Sequence, residues 1–244
     1  MNVLITAGGT AERIDSVRSV VNFATGKLGS LIADYFAESP KAEKIFYICG
    51  KNAVQQTTTK AKILPIETVD ELENAVRKVF RENRVDAIVH SMAVGDFQMR
   101  AATNARLLAE SIWKAKPKTQ NELEKLIANA GGFYYGGKIS SNEENLILLF
   151  KQAPKIISLF RELSPRSLLI GFKLLDGVPL ETLIDAAYSS IMKNGCEYVL
   201  ANDLQDVASE KHIGYLIDRT KNARKYEGKE QIARGIVEEV FRKV

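Results

Sequence analysis

The sequence predicts an α/β fold with three layers, in which helices cover both faces of a mostly parallel central sheet. Short apolar, β-branched runs recur along the 244 residues, and several are apolar at successive positions, as in strands buried on both faces. Segments with helical periodicity separate these runs. Such alternation is typical of parallel sheets with right-handed crossovers. We therefore expect one domain spanning residues 1–244.

The individual elements follow from these patterns. Predicted strands cover residues 3–7, 45–49, 63–66, 87–91, 168–172, 198–201 and 213–217. Predicted helices cover residues 28–38, 69–83, 154–163, 180–194 and 229–243. Thr68, followed three residues later by Glu71, has the spacing of a capping box and predicts the start of the second helix. The predicted architecture is Rossmann-like.

Residues 99–132 interrupt the alternation of strands and helices. Their composition is helical and they carry Trp113, so we expect a helical insertion here. A long excursion of this kind is either a flap beside a ligand site or a surface feature, and the sequence does not decide between the two.

Composition excludes several classes of protein. A net charge of +4 and a pI near 8.9 are mildly basic, but the basic residues are scattered and form no aromatic-rich stripe. We therefore expect no nucleic acid partner, and a small polyanionic substrate would account for the excess charge. No apolar run approaches the ~20 residues that span a bilayer, and no leader pattern follows Met1. A cytoplasmic protein with no membrane partner is the expectation.

Cysteine and histidine usage argues against a resident metal site. The spacing of Cys49 and Cys196 fits neither a zinc site nor a redox motif, so we expect buried free thiols. His90 and His212 both lie in strand-like apolar runs, and neither is a candidate for catalysis.

Two glycine loops near the start of the chain are candidates for anion binding. Gly8, Gly9 and Thr10 follow the first strand, where missing side chains would let backbone N–H groups approach an anion. Thr25 and Gly26 stand where the first helix should begin, and helix N-termini favour negative charge. The first loop lacks the G-x-G-x-x-G spacing of a dinucleotide site, and a turn without a ligand is the alternative.

A second glycine pattern is interpreted as a coincidence. Gly132, Gly137 and Lys138 have P-loop spacing, but Ile139 stands where a P-loop needs Ser or Thr, and a predicted helix rather than a strand precedes the segment.

Taken together, these segments resemble the phosphopantothenate-cysteine ligase family of coenzyme A biosynthesis. The opening motif is Gly8-Gly9-Thr10, Glu12, Ile14-Asp15 and Val17-Arg18, followed by Asn22 and Thr25-Gly26-Lys27-x-Gly29. Further matches, in order, are Ala93 to Phe97, Lys138 to Ser141, Ala153 to Ile157, Gly171 to Lys173 and Ala201 to Leu204. The resemblance spans nearly the whole chain and is greatest to the free-standing bacterial form.

The resemblance implies a ligase that acts in two half-reactions. The carboxylate of 4′-phosphopantothenate attacks the α-phosphorus of CTP, and the amine of L-cysteine then attacks the acyl-CMP intermediate. Mg²⁺ would accompany the triphosphate, and a homodimer is expected. Two unit charges of like sign ~4 Å apart repel by about 4 kcal/mol at an effective dielectric constant of about 20, so cations and backbone donors must offset the approach of two anions.

The resemblance also implies which residues contact the ligands. Nucleotide contacts are implied for Gly8, Gly9, Thr10, Asp96, Lys138, Ala153, Pro154, Lys155, Ile156, Phe172 and Lys193. Contacts to the acid substrate are implied for Arg18, Asn22, Thr25, Gly26, Met92 and Ala93. Lys138 is the implied catalytic cation, and Asn22 is the implied catalytic amide on the activated intermediate. Arg18 is implied to hold the substrate phosphate with a bidentate grip.

Some positions depart from the family pattern. Ser140 and Ser141 replace basic residues after Lys138, and Ser189 replaces a second lysine one turn before Lys193. Leu175 stands where many relatives have glutamate. Fewer positive charges are therefore offered to the phosphates than in many relatives.

Two other functions fit parts of the sequence. A nicotinamide-dependent oxidoreductase would also place glycines after the first strand, but no acidic residue closes the second strand at residues 45–49. A nucleotide-binding regulator would bind the nucleotide without releasing pyrophosphate.

Overall fold

A computed structural model describes residues 1–131, 137–208 and 212–244. The strands are β1 (Asn2–Ala7), β2 (Ala11–Arg13), β3 (Ser19–Val21), β4 (Lys44–Gly50), β5 (Ala61–Ile66), β6 (Ala87–His90), β7 (Phe97–Asn104), β8 (Leu146–Gln152), β9 (Leu168–Leu175), β10 (Tyr198–Asp203), β11 (Ile213–Asp218) and β12 (Ala223–Glu227). The helices are α1 (Lys27–Glu38), α2 (Val69–Glu82), α3 (Ala105–Ala115), α4 (Gln120–Ala128), α5 (Ile156–Leu163), α6 (Leu180–Asn194), α7 (Leu204–Ala208) and α8 (Lys229–Lys243).

The chain forms two compact units. The larger, which we call the sheet unit, comprises Met1–Thr10, Asn22–Val94 and Lys155–Val244. The smaller, which we call the hairpin unit, comprises Ala11–Val21 and Gly95–Pro154.

The sheet unit contains an eight-stranded sheet of order β12-β11-β10-β9-β6-β1-β4-β5. The strands from β5 to β10 in that order pair in parallel, and β11 and β12 pair antiparallel. All the predicted strands are present, and the prediction of a mostly parallel sheet is confirmed. Every residue of β6 and β10 is buried, which explains the continuous apolar runs from Ala87 to Val89 and from Tyr198 to Ala201.

Helices cover both faces of this sheet, which confirms the three layers. Because successive side chains of a strand point to opposite faces, alternate residues of β1 pack into different layers. Val3 and Ile5 belong to a core shared with Ile32 of α1 and Ile236 of α8. On the other face, α2, α5 and α6 contact one another in sequence, and the His90 ring packs on Phe160 of α5 at 5.1 Å.

The hairpin unit contains two antiparallel strand pairs, β2–β3 and β7–β8, with α3 and α4 between β7 and β8. The predicted helical insertion at residues 99–132 is thus only partly correct, because residues 99–104 are strand and the helices begin at Ala105. Strands β2, β3, β7, β8 and β12 were not predicted from the sequence.

No helix among the described residues combines the length and the apolar character needed to cross a bilayer.

Candidate functional site

The predicted site residues are divided between the two units, and each group is described within its own unit. In the sheet unit, the loop that follows β1 is held against the segment that follows β6. Ala93 N donates to Gly8 O at 2.8 Å, and Thr10 N donates to Ala93 O at 3.2 Å. Gly9 and Ala93 form an isolated parallel bridge. The Gly8–Thr10 loop therefore continues the parallel pairing of β1 and β6 past the ends of both strands.

Backbone packs on backbone around this loop. Gly8 has φ 81°, a conformation that favours glycine. A Cβ atom on Gly9 would lie less than 3.0 Å from Asn22 O, and one on Gly50 would lie less than 3.0 Å from Gly9 O. A Cβ atom on Gly26 would lie 2.9 Å from Ala53 Cβ. The glycines thus bring the ends of β1 and β4 and the start of α1 into direct contact.

Asn22 lies beside this cluster with its side chain exposed. Its N–H group donates to Thr10 O at 3.4 Å, so the two glycine loops are connected through the backbone. Thr25 is fixed by Val54 N, which donates to Thr25 O at 2.8 Å. Asn22, Thr25 and Gly26 are therefore brought next to Gly8, Gly9 and Thr10.

The N-terminus of α1 lies at the same place, where Lys27 N donates to Thr25 Oγ1 at 3.4 Å. Gly26, with φ 73°, is its N-cap and supplies no side chain, and the first turn, which the structure describes completely, contains no acidic residue. Because the positive end of the helix dipole is not offset by a carboxylate, this end of α1 is electrostatically suited to an anion.

Lys155, Ile156 and Phe172 lie at the same edge of the sheet. Ile170 of β9 pairs with Val89 of β6, which pairs with Ile5 of β1, so Phe172 is level with the end of β1. A Cβ atom on Gly171 would be 3.1 Å from Ile157 Cδ1, which places the start of α5 beside Phe172. Met92 and Ala93 follow β6 at this edge as well.

Lys193 lies elsewhere in the sheet unit. It is exposed in the last turn of α6, a helix that runs from the carboxyl end of β9 to the amino end of β10. Lys193 is therefore at the opposite edge of the sheet from Gly8 to Thr10, and its position matches the preference of lysine for helix C-termini.

In the hairpin unit, Arg18 contacts Asp15. Arg18 Nε and Nη2 donate to Asp15 Oδ2 at 2.9 and 2.5 Å, and Nη2 also donates to Ile139 O at 2.9 Å. Arg18, together with backbone N–H groups, holds the pKa of Asp15 well below its usual range. The Nε and Nη2 edge of the guanidinium group is thus occupied by a carboxylate, and a phosphate contact by Arg18 would fall to Nη1.

The remaining predicted residues also lie in the hairpin unit. Lys138 is exposed and directly precedes the buried Ile139. Asp96 is exposed, and its carbonyl oxygen accepts from Ala153 N at 2.9 Å. The structure therefore brings Asp96 together with Ala153 and Pro154. Of the P-loop-like pattern, Gly132 lies outside the described residues.

Both cysteines match the prediction of buried free thiols, and His90 is also buried. Cys49 and Cys196 are buried free thiols, and burial raises the pKa of Cys196 to about 12. Burial lowers the pKa of His90 to about 4, so this ring is neutral near pH 7, with Nδ1 2.7 Å from Thr6 Oγ1. Within the described ranges, no group of three or more His, Cys, Asp and Glu side chains could hold a metal ion.

The supporting roles of Gly50, Ser91 and Asp15 were not predicted from the sequence. Ser91 Oγ donates to Thr6 O at 2.7 Å and ends β6 against β1. A glycine directly after an apolar strand, as at Gly50, indicates close backbone approach. The three-residue spacing of Asp15 and Arg18 was likewise a readable signal for a local ion pair.

Comparisons with known proteins show the family to which the chain belongs. Residues 1–124 and 134–243 match the family described as the DNA/pantothenate metabolism flavoprotein C-terminal domain. The coenzyme A biosynthesis bifunctional protein CoaBC of Thermococcus kodakarensis is 30% identical over 217 residues, which cover 89% of this chain and 45% of that protein. The chain thus spans about half the length of this curated relative.

Solved structures show the same fold. The DNA/pantothenate metabolism flavoprotein of Streptococcus pneumoniae is 29% identical, with a TM-score of 0.84 and coverage of 100% of both chains. A variant of Cab2, solved with phosphopantothenate-cysteine, is 15% identical with a TM-score of 0.68, and covers 99% of this chain and 85% of its own. The family match extends over most of the sequence, and the chain therefore belongs to the family of the DNA/pantothenate metabolism flavoprotein C-terminal domain.

Proposed function

We propose that this chain is a ligase that joins 4′-phosphopantothenate to L-cysteine and gives 4′-phosphopantothenoylcysteine. CTP, carried with Mg²⁺, activates the carboxylate, and CMP and pyrophosphate are released. Membership of the family supports the place in coenzyme A biosynthesis. The choice of CTP over ATP rests on the resemblance to the bacterial ligases.

In the first half-reaction, a carboxylate oxygen bonds to the α-phosphorus and the bond from that phosphorus to the pyrophosphate oxygen breaks. The difficulty is repulsion between anions, since each close pair of unit charges costs about 4 kcal/mol at an effective dielectric constant of about 20. The first turn of α1 after Gly26, which lies beside Gly8 to Thr10, offers backbone N–H groups and the positive end of a helix dipole. The exposed ammonium group of Lys138 is assigned to neutralise the triphosphate.

In the second half-reaction, the cysteine nitrogen bonds to the acyl carbon, loses a proton, and CMP leaves. Negative charge develops on the acyl oxygen during this attack. The exposed amide of Asn22 can donate a hydrogen bond to that oxygen without adding a net charge to the anionic intermediate. This is the reason to assign catalysis to an amide rather than to a carboxylate at this position.

Magnesium enters this reaction as part of the nucleotide substrate. Mg²⁺ is commonly held by substrate phosphates, water and one or two carboxylates rather than by a cage of protein ligands. Among the described residues, no group of three or more His, Cys, Asp and Glu side chains could hold a metal ion. A Mg²⁺ ion that binds together with the triphosphate does not require such a group.

The observation that carries the proposal is the fixed position of Asn22. Gly9 and Thr10, which continue β1, hold its backbone at the carboxyl edge of a parallel sheet, where α/β proteins bind ligands. Met92, Ala93 and Phe172 lie at the same edge and are assigned to the ligands there.

One assay tests the proposal. Pyrophosphate release is measured with 4′-phosphopantothenate and each of CTP, ATP, GTP and UTP, with and without cysteine, and the amide is detected by mass spectrometry. We expect release with CTP that requires 4′-phosphopantothenate, and amide only when cysteine is present. Thermal stabilisation by CTP without pyrophosphate release would instead favour a regulator, and stabilisation by NADPH alone would favour an oxidoreductase.

A further inference from the structure

Asp15 and Arg18 hold one residue, Ile139, from both sides of its backbone. Ile139 N donates to Asp15 Oδ2 at 3.1 Å, and Ile139 O accepts from Arg18 Nη2 at 2.9 Å. The two side chains are joined to each other through Arg18 Nε and Nη2. The side chain of Asp15 is fully buried and Ile139 is 5% exposed, so water has little access to the bond between Ile139 N and Asp15, while the Arg18 side chain is 43% exposed.

The loop that carries this pair is itself well fixed. Asp15 Oδ1 accepts from Val17 N at 2.9 Å and from Arg18 N at 2.8 Å. Ile14 N and Asp15 N both donate to Arg18 O, at 2.9 and 3.3 Å. Asp15 thus accepts from the backbone of its own loop with Oδ1, and its Oδ2 accepts both from the Arg18 side chain and from a residue 124 positions later.

The residue directly before Ile139 is Lys138. The N–H group that Asp15 binds belongs to the peptide group shared by Lys138 and Ile139, and peptide groups are planar. Fixing that plane fixes the backbone from which the Lys138 side chain extends, while the side chain itself stays exposed. A lysine on a flexible four-carbon stem can place its charge accurately only if its backbone is held.

We propose that Asp15, acting with Arg18, is a positioning residue that sets where Lys138 presents its ammonium group to the triphosphate. This inference rests on the proposed function and adds a role for the aspartate of the opening motif. It also gives Arg18 a structural task in place of the bidentate phosphate grip. A displacement of about 1 Å in a reacting constellation can cost ~100-fold in rate, so the effect of losing the clamp is large enough to measure.

Asp15→Asn is the discriminating substitution. The amide has the size of the carboxylate but only one oxygen, and its NH₂ group cannot accept a hydrogen bond. If the oxygen stays with Val17 N and Arg18 N, the NH₂ group faces Arg18 and Ile139 N, which are all donors. Asp218→Asn is the matched control, because Asp218 Oδ1 also accepts from backbone N–H groups of its own turn, those of Thr220 and Asn222.

The first test needs no ligand and no activity. Hydrogen–deuterium exchange of the Ile139 amide is compared in the wild type, Asp15→Asn and Asp218→Asn. We expect slow exchange in the wild type, faster exchange in Asp15→Asn by about tenfold or more, and no change at Ile139 in Asp218→Asn. Equal exchange in the wild type and Asp15→Asn would overturn the clamp.

The second test asks whether Asp15 acts through Lys138. The affinity for CTP with Mg²⁺ is measured by calorimetry for the wild type, Asp15→Asn, Lys138→Ala and the double variant. If Asp15 acts only by positioning Lys138, Asp15→Asn weakens binding in the wild type but has no further effect when Lys138 is alanine. Additive losses in the double variant would show a separate structural role and would overturn the inference.

The two proposals fail in different ways. A wild-type protein that forms no amide overturns the proposed ligase, and the exchange experiment still decides whether Asp15 clamps Ile139. If the wild-type protein forms the amide, but the losses of CTP affinity in Asp15→Asn and Lys138→Ala add up in the double variant, only the positioning role is overturned. In the supported case, Asp15→Asn lowers the rate of pyrophosphate release, and the KM for cysteine stays within about twofold.

Discussion

The backbone carbonyl oxygen of Asn22 packs on Gly9, less than 3.0 Å from where the Cβ atom of a larger residue would stand. Thr10 O accepts from Asn22 N at 3.4 Å, so the same short loop both contacts and hydrogen-bonds the asparagine. The position of a candidate catalytic amide is thus set by the absence of a side chain at the neighbouring glycine.

Gly9→Ala should therefore displace Asn22. The nearest atom is backbone oxygen rather than the end of a flexible side chain, so the loop must move by several tenths of an ångström. Because catalytic geometry tolerates little displacement, we expect amide formation to fall by about 10- to 100-fold. The measurement is the rate of amide formation, with circular dichroism to check that the variant is folded.

Gly131→Ala is the control for this change. A Cβ atom on Gly131 would meet none of the described residues within 4 Å, and the residue is exposed. It should leave the rate unaffected. If Gly9→Ala were as active as this control, the backbone contact between Gly9 and Asn22 would have no part in catalysis.

Asn22→Asp should separate the two half-reactions. An ionised carboxylate accepts hydrogen bonds and donates none, so it cannot stabilise a developing negative charge on the acyl oxygen. Activation of the carboxylate depends on phosphate neutralisation rather than on this amide, so we expect pyrophosphate release to continue while amide formation falls by about 100-fold or more.

Both products are measured in one reaction, pyrophosphate by a coupled assay and the amide by mass spectrometry. Asn222→Asp, at an exposed position in the turn between β11 and β12, introduces the same charge as a control. Amide formation at the normal rate in Asn22→Asp would remove the assigned role of Asn22.

The parallel sheet was predictable because its strands are buried on both faces and therefore consist of consecutive apolar residues. The β7–β8 pair was not predicted, although Leu146 to Phe150 is a continuous apolar run. Its partner β7 carries Arg100 and does not alternate buried and exposed positions, because its last three residues, Ala102 to Asn104, are all buried, so neither composition nor period indicated a strand. Pairing between segments this far apart in sequence has no local signal.

The loops of the candidate site could be identified from the sequence, but the contacts that these loops make could not. The sequence shows that Gly8 and Gly9 lack side chains, but it does not show that Asn22 O and Gly50 fill the space. In the same way, the sequence predicted that the guanidinium group of Arg18 binds an anion with two hydrogen bonds. Whether that anion is a ligand or Asp15 depends on the local fold of residues 14–18, which the motif alone does not reveal.

Thr68→Ala should destabilise the protein through the start of α2. Thr68 Oγ1 accepts from Glu71 N at 3.2 Å, as the capping-box spacing predicted, and Glu71 Oε2 accepts from Glu67 N at 2.7 Å. Removing an N-cap hydroxyl costs about 1 kcal/mol of unfolding free energy. Urea denaturation measures this, with the exposed Thr59→Ala as the control. Equal stability of the two variants would contradict a capping role for Thr68.

Glu239→Gln should destabilise the protein in a pH-dependent way. The buried carboxylate accepts from Tyr198 Oη at 2.9 Å, from Arg224 Nη1 at 2.5 Å and from Arg242, which ties α8 to β10 and β12. Burial tends to raise the pKa of Glu239, but Tyr198, Arg242 and Arg224 together outweigh it and hold the pKa below the ordinary value of 4.5. Loss of the charge should cost about 1–3 kcal/mol near neutral pH.

The pH dependence follows from the direction of that pKa shift. A carboxyl group with a lowered pKa in the folded state contributes stability that is complete above its unfolded value of 4.5 and is lost as the pH falls through the folded value. The glutamine variant cannot lose this contribution, so the stability difference between wild type and variant should shrink as the pH falls below 4.5. Urea denaturation at neutral pH and below pH 4.5 measures it, with Glu227→Gln, an exposed ion-pair residue, as the control. A difference that is the same at both pH values would mean that Glu239 acts by packing rather than by its charge.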